Sequence, residues 1–313
     1  MRVVFAGTPE AAVPSLAALL ASTHEVLGVI TRPDARSGRG RTLHPSPVRV
    51  AAEEAGIPVL TPASARDPEL RETLAEWAPG ACPVVAYGAL IPPALLDLPA
   101  HGWINLHFSL LPAWRGAAPV QHAIIAGDEV TGASTFLIEE GLDTGPVFGT
   151  LTETIRPTDT AQDLLDRLSE AGAGLLVATL DGLATGQLTG RPQPADGISL
   201  APKLEVADGR LDWHRPAYAV DRLVRGCTPA PGAWTTFRGE RLKVHPVRPL
   251  AVDADDAAPL LPGQVRVDKR SVRVGTGAGA VELGDVQAPG KRVMAALDWA
   301  RGARPGPEEV LGG

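Results

Sequence analysis

The chain has 313 residues, 44% of them hydrophobic and 21% charged, with a formal net charge of −7, and that length favours two domains over one. An acidic total excludes a protein that holds nucleic acid by its global field, so any RNA site has to be a local basic patch. The two cysteines, Cys82 and Cys227, supply neither a disulfide framework nor metal-ligand spacing and fit a reducing compartment.

Val3 to Ala6 reads as a buried strand that begins almost at the N-terminus, without the charged start, apolar stretch and cleavage site of a signal peptide. Leu16, Leu19 and Leu20 place a helix over 9–21, followed by a strand at 26–30 and a helix at 48–55 that Gly56 ends. A third strand at 57–60, a charged helix at 68–77 and strands at 83–87 and 103–107 continue the alternation. Short apolar strands separated by helices indicate a mostly parallel sheet covered on both faces. Residues 134–155 alternate β-branched positions with glycine turns and read as extended structure or a hairpin leaving the sheet's edge, and a helix follows over 160–183. Pro192, Pro194 and Pro202 then break regular structure, making 186–202 the natural linker between domains 1–185 and 203–313. Beyond it stand a helix at 216–225, short strands at 233–237, 242–247, 263–267, 272–274 and 280–283, and a terminal helix at 294–299. That pattern suggests a small barrel or sandwich. No apolar run reaches the roughly 18 to 20 residues of a bilayer span, so a soluble, cytoplasmic protein is expected.

Chemistry concentrates in Trp103-Ile104-Asn105-Leu106-His107. Side chains alternate along a strand, so Asn105 and His107 share a face near its carboxyl end, where open parallel sheets bind ligands. Together an amide and an imidazole can polarise a carbonyl, although a strand-end Asn also caps turns and a lone His is often structural. Gly141-Leu142-Asp143-Thr144-Gly145 presents a carboxylate between two glycines, although the composition by itself favours an ordinary Asx-type turn. Gly275-Thr276-Gly277-Ala278-Gly279 lies between alternating runs and reads as a hairpin turn, and Gly7-Thr8-Pro9 lacks the dinucleotide fingerprint.

Asn105 and His107 in their strand, Ser109-Leu110-Leu111-Pro112, Trp114 through Pro119 and the Gly-Leu-Asp-Thr-Gly loop together resemble the formyltransferase family that uses 10-formyltetrahydrofolate. The likeness extends through Phe5 to Pro9, Tyr87 to Pro92, Asp208 to Trp213 and Pro231 to Thr235. It implies a Rossmann-like, mostly parallel α/β domain followed by a small OB-like β-barrel, with direct transfer of a formyl group to the amine of methionine on initiator tRNA. It further implies Asn105 and His107 at the developing oxyanion, Asp143 moving the proton, and Tyr87, Gly88, Ala89, Leu90 and Ile91 with Ser109, Leu110, Leu111 and Pro112 around the folate. No metal is expected, and the chain is expected to be a monomer. Rival acceptors within the same chemistry are a purine-precursor ribonucleotide and an amino sugar nucleotide. A rival of another class is a non-catalytic RNA-binding module.

Five arginines, Arg32, Arg36, Arg39, Arg41 and Arg49, face only Asp34 across 31–50 and read as a mobile basic loop. By the resemblance this loop grips the tRNA acceptor arm, with Arg36, Arg39 and Arg41 as contacts. After the linker, Lys203, Arg210, Arg215, Arg222, Arg225, Arg238, Arg241, Lys243 and Arg248 outnumber nearby acids by nine to five and suit contact with an RNA backbone. Two stretches depart from the family pattern: Gly80-Ala81-Cys82-Pro83 stands where an acidic residue and apolar run are usual, and Cys227-Thr228-Pro229-Ala230-Pro231 lacks an Asn-Pro.

Overall fold

The computed structural model describes residues 1–37, 42–250 and 260–313. In chain order the first part carries β1 (Arg2–Gly7), α1 (Val13–Leu20), β2 (Glu25–Ile30), β3 (Ala35–Ser37), β4 (Thr42–His44), α2 (Pro47–Glu54), β5 (Val59–Leu60), α3 (Pro68–Trp77), β6 (Cys82–Val85), α4 (Pro93–Leu96), β7 (Trp103–His107), α5 (Pro119–Ala126), β8 (Val130–Leu137), β9 (Val147–Thr154) and α6 (Ala161–Ala184). Local chemistry explains the boundaries. Asp67 accepts from the Glu69 amide to start α3, with Pro68 at a first-turn position that needs no donor, while Leu70 and Leu74 bury its inner stripe. Ser46 caps α2 in the same way ahead of Pro47.

Seven strands form one sheet in the order β5-β2-β1-β6-β7-β8-β9. β5 through β7 run parallel, and β8 and β9 run antiparallel. Residues 3–6 of β1 are fully buried, as a strand covered on both faces requires. The chain winds outward from β1 through β2 to β5, then returns to β6 and β7. Strand order therefore reverses between β1 and β6, and the carboxyl ends of β1, β6 and β7 open on one edge at that reversal, the usual ligand crevice of such sheets. The hairpin read as leaving the sheet instead extends it. β8 pairs in register with β7, Asn105 opposite Phe136 and His107 opposite Ser134, and α6 covers β8 through a buried Thr135–Thr179 hydroxyl pair at 2.8 Å. The arginine-rich stretch read as a loop contains the antiparallel pair β3–β4.

After α6 come α7 (Ala217–Gly226), β10 (Trp234–Phe237), β11 (Glu240–Val244), β12 (Val247–Leu250), β13 (Val265–Val267), β14 (Val272–Gly275), β15 (Ala280–Leu283), β16 (Asp285–Gln287), β17 (Met294–Ala295) and α8 (Ala296–Ala303). The strands form two antiparallel four-stranded sheets, β10-β11-β16-β17 and β12-β15-β14-β13. Trp213, Val220, Val224, Leu242, Val281, Val286 and Trp299 belong to one core between them. The single strand read at 242–247 is two strands, because the chain turns at His245 and Pro246 to pass from one sheet to the other. β16, which buries only Val286, is absent from the sequence reading.

Contacts divide the chain into one unit of residues 1–119, 130–154 and 165–201 and another of residues 120–129, 155–164 and 202–313. In the second unit Arg225 is buried, its Nε donating to Asp221 Oδ2 at 2.8 Å and its Nη1 to Asp159 O at 2.9 Å. Burial pushes the Asp221 carboxyl up, and Arg225 opposes that shift. Arg225→Ala strands this acid and is expected to cost on the order of 3 kcal/mol of stability, read as a lower denaturant midpoint.

Candidate active site

β7 ends at the open edge with Asn105 half-buried and His107 buried to 5% exposure. His107 meets Phe136 edge-on, ring centroids 6.3 Å apart. Its Nε2 lies 2.9 Å from Trp114 O. A carbonyl only accepts, so Nε2 carries a hydrogen and Nδ1 faces Asp143 Oδ2 at 3.7 Å. Burial holds the imidazole below its ordinary proton affinity, with the Asp143 carboxylate and then the Trp114 carbonyl opposing. The side-chain amide of Asn105 has no hydrogen-bond partner among the described residues, which leaves its donors free beside this pair.

The 109–119 segment is fixed by its own polar groups. Ser109 Oγ donates to Ala113 O, Ser134 Oγ donates to Ser109 O at 2.7 Å, and Leu111 N donates to Ser134 Oγ at 3.1 Å. The Leu111–Pro112 bond is cis. At Gly116, φ is 127° and an added Cβ would stand 2.6 Å from Ala201 O, so only glycine fits. Its amide donates to Asp143 Oδ2 at 2.7 Å. The Asp143 carboxylate therefore bonds across the chain, while the residue holds a left-handed φ of 50°. A Cβ at Gly145 would collide with Leu137 O.

The loop after β6 lies beside this segment, as its parent strand lies beside β7. Thr8 Oγ1 donates to Tyr87 O at 2.8 Å. Tyr87 is buried, which raises its phenol against the opposing charge of Arg32. Ala89 and Ile91 pack on the core, whereas Leu90 is 88% exposed. Asn105, His107, Asp143 and the two loops thus share the sheet's open edge.

The sequence reading missed Gln193 and Ser199 here, and it gave Arg115 of the Trp114–Pro119 motif no role of its own. Arg115 donates through Nε and Nη2 to Gln193 Oε1, Gln193 Nε2 donates to the carbonyls of Asp143 and Gly145, and Ser199 Oγ accepts from Trp114 N. Gln193 sits between Pro192 and Pro194 in the stretch read as a linker, where no periodicity marks it.

Of the basic residues, Arg36 lies in β3, and Arg39 and Arg41 lie outside the described residues. Arg225 is buried with Asp221, so it does not serve RNA as the sequence count implied. Arg238 pairs with Glu309, Arg248 with Glu282 and Lys203 with Glu205. Arg222 stacks on Tyr218. Arg210 and Arg241 instead stack on the Trp234 ring, at 5.8 and 4.1 Å, on the outward face that Lys243 shares by pairing opposite Trp234. Cys82 opens β6 and Cys227 caps α7; both are free and buried, and burial pushes the Cys227 thiol up to about 11. The Thr228–Pro229 and Ala230–Pro231 bonds that follow are both cis.

Two family models match the chain, "Formyl transferase" over residues 1–180 and "Formyl transferase, C-terminal domain" over 203–304. The methionyl-tRNA formyltransferase of Streptomyces coelicolor is 67% identical over 97% of both chains. That of Streptomyces avermitilis is 65% identical over the full length of both. Among solved structures, HypX from Aquifex aeolicus in complex with tetrahydrofolic acid superposes with a TM-score of 0.66 at 19% identity, covering 96% of this chain and 48% of that one, a likeness of fold.

Proposed function

We propose, from the premise that the chain belongs to the methionyl-tRNA formyltransferase family, that Asn105, His107 and Asp143 carry its reaction. The enzyme transfers the formyl group of 10-formyltetrahydrofolate to the α-amino group of initiator methionyl-tRNA. The amine nitrogen bonds to the formyl carbon and the carbonyl electron pair moves to oxygen. Collapse of that tetrahedral species breaks the bond to folate N10, which takes a proton as the amine loses one. Asn105 donates to the oxyanion through its amide. His107 donates beside it through Nδ1 when protonated. The Asp143 carboxylate holds that proton on His107 and relays the amine's proton toward N10.

The unpartnered Asn105 amide beside the His107–Asp143 pair carries this reading. Asp143→Ala tests it: formylation of methionyl-tRNA at saturating substrates is expected to slow by about 10² or more, with folding intact. Near-normal turnover would remove Asp143 from the chemistry.

Tyr87, Gly88, Ala89, Leu90 and Ile91 line the folate site with Ser109, Leu110, Leu111 and Pro112, apolar faces and backbone donors being what a pterin ring requires. Residues 1–185 form the catalytic domain, 186–202 the linker and 203–313 the tRNA-binding domain of a cytoplasmic monomer. Arg36, Arg39 and Arg41 grip the acceptor arm, while Arg210, Arg241 and Lys243 track the phosphate backbone. With no ion pair among the described residues, and with two of them held over Trp234, these three are poised for phosphate. Affinity for methionyl-tRNA should fall steeply with salt, and Arg241→Ala should reduce that slope by about 1. An unchanged slope places Arg241 outside the interface.

A further inference from the structure

The stretch read as a linker, 186–202, is more than a tether. Gln193 Nε2 donates to Asp143 O at 2.7 Å and to Gly145 O at 2.9 Å, while its Oε1 accepts from Arg115 Nε at 3.1 Å and Nη2 at 2.6 Å. The orientation of this amide is unambiguous: two carbonyls can only accept, and a guanidinium can only donate. Both protons and the oxygen of one side chain are therefore committed to one task. The carbonyls it grips bracket Thr144, in a loop where Asp143 holds the left-handed φ of 50° that side chains resist. Arg115 in turn is fixed by the backbone, its N donating to Ser199 O and its O accepting from Ala201 N. Gln193 thus ties the aspartate loop to the segment bearing Trp114 and Gly116, whose carbonyl and amide contact His107 and Asp143.

We propose that Gln193 is a positioning residue for formyl transfer, clamping the 141–145 loop so that the Asp143 carboxylate meets both His107 and Gly116. The proposal rests on the reading of Asp143 as the proton-handling residue. Gln193→Met keeps length and removes the amide. Gln193→Glu keeps an acceptor for Arg115 and removes both N–H donors. Gln193 is partly exposed in irregular chain, so both variants are expected to fold with the wild-type unfolding midpoint.

Steady-state formylation is measured for each, alone and combined with Asp143→Asn. Both single variants are expected to lose about 10- to 100-fold in kcat, with KM for tRNA and for the folate within about twofold of wild type. In the Asp143→Asn background Gln193→Met should add almost nothing, since the clamp acts through that carboxylate. Wild-type kcat in Gln193→Glu overturns the clamp, and so does a loss in Gln193→Met that adds fully to that of Asp143→Asn, or a raised KM with kcat unchanged. If Asp143→Asn alone keeps normal kcat, the reading of Asp143 falls, a result visible without any Gln193 variant.

Discussion

Asn105→Ala is expected to lower kcat about 10²- to 10³-fold, equivalent to about 2.7–4 kcal/mol of transition-state stabilisation, with KM and thermal stability near wild type. The strand places this side chain: Asn105 pairs with Val84 of β6 on one side and Phe136 of β8 on the other, so its backbone has no freedom to drift. The amide itself bonds to nothing within the described residues. Truncating it consequently strands no buried partner, and stability has little reason to fall. Negative charge on the formyl oxygen exists only as the tetrahedral species forms, so a donor aimed there acts on kcat rather than on ground-state binding. Asn105→Asp, of the same shape but with acceptors in place of donors, should be no better than Ala. Single-turnover formylation and a thermal melt decide the matter, and near-normal kcat in Asn105→Ala would remove the amide from the oxyanion site.

How far such a site can be read from sequence depends on whether each residue's signal is local. The period of two in β7 puts Asn105 and His107 on one face, and that arrangement is what the structure contains. Asp67 before Pro68, and the leucines at 70 and 74, mark α3 to the residue. Asp143 was visible between its glycines, but its bond to Gly116 spans 27 positions, a separation that no local pattern encodes. The antiparallel course of β8 was hidden for a similar reason, because alternation reports which face of a strand is buried and not which neighbour it joins. Gln193 was masked by its prolines, which announce irregular chain without saying what that chain touches. Arg225 did carry a local clue, since Asp221 lies one helical turn earlier, and counting charges without spacing discarded it.

Asp143→Asn is expected to move the alkaline limb of the kcat/KM profile to lower pH, in addition to lowering the rate. Nε2 of His107 keeps its hydrogen on the Trp114 carbonyl in either protonation state, so Nδ1 becomes a donor only in the imidazolium form. Activity that needs this donor declines as pH rises through the folded-state pKa of His107. Burial sets that pKa below the ordinary 6.5, and the Asp143 carboxylate is the largest influence pulling it back up. An asparagine has no charge to offer, whereas the burial stays, so the imidazolium surrenders its proton at a lower pH. The penalty of the substitution should therefore widen as pH increases. Because kcat/KM reports groups of the free enzyme, the limb should follow His107 rather than a substrate-bound form. Asn105→Ala supplies the control: asparagine does not titrate, and that variant should lose rate while its limb stays in place. An Asp143→Asn limb that holds its position, or shifts to higher pH, would show that the carboxylate does not keep the proton on His107.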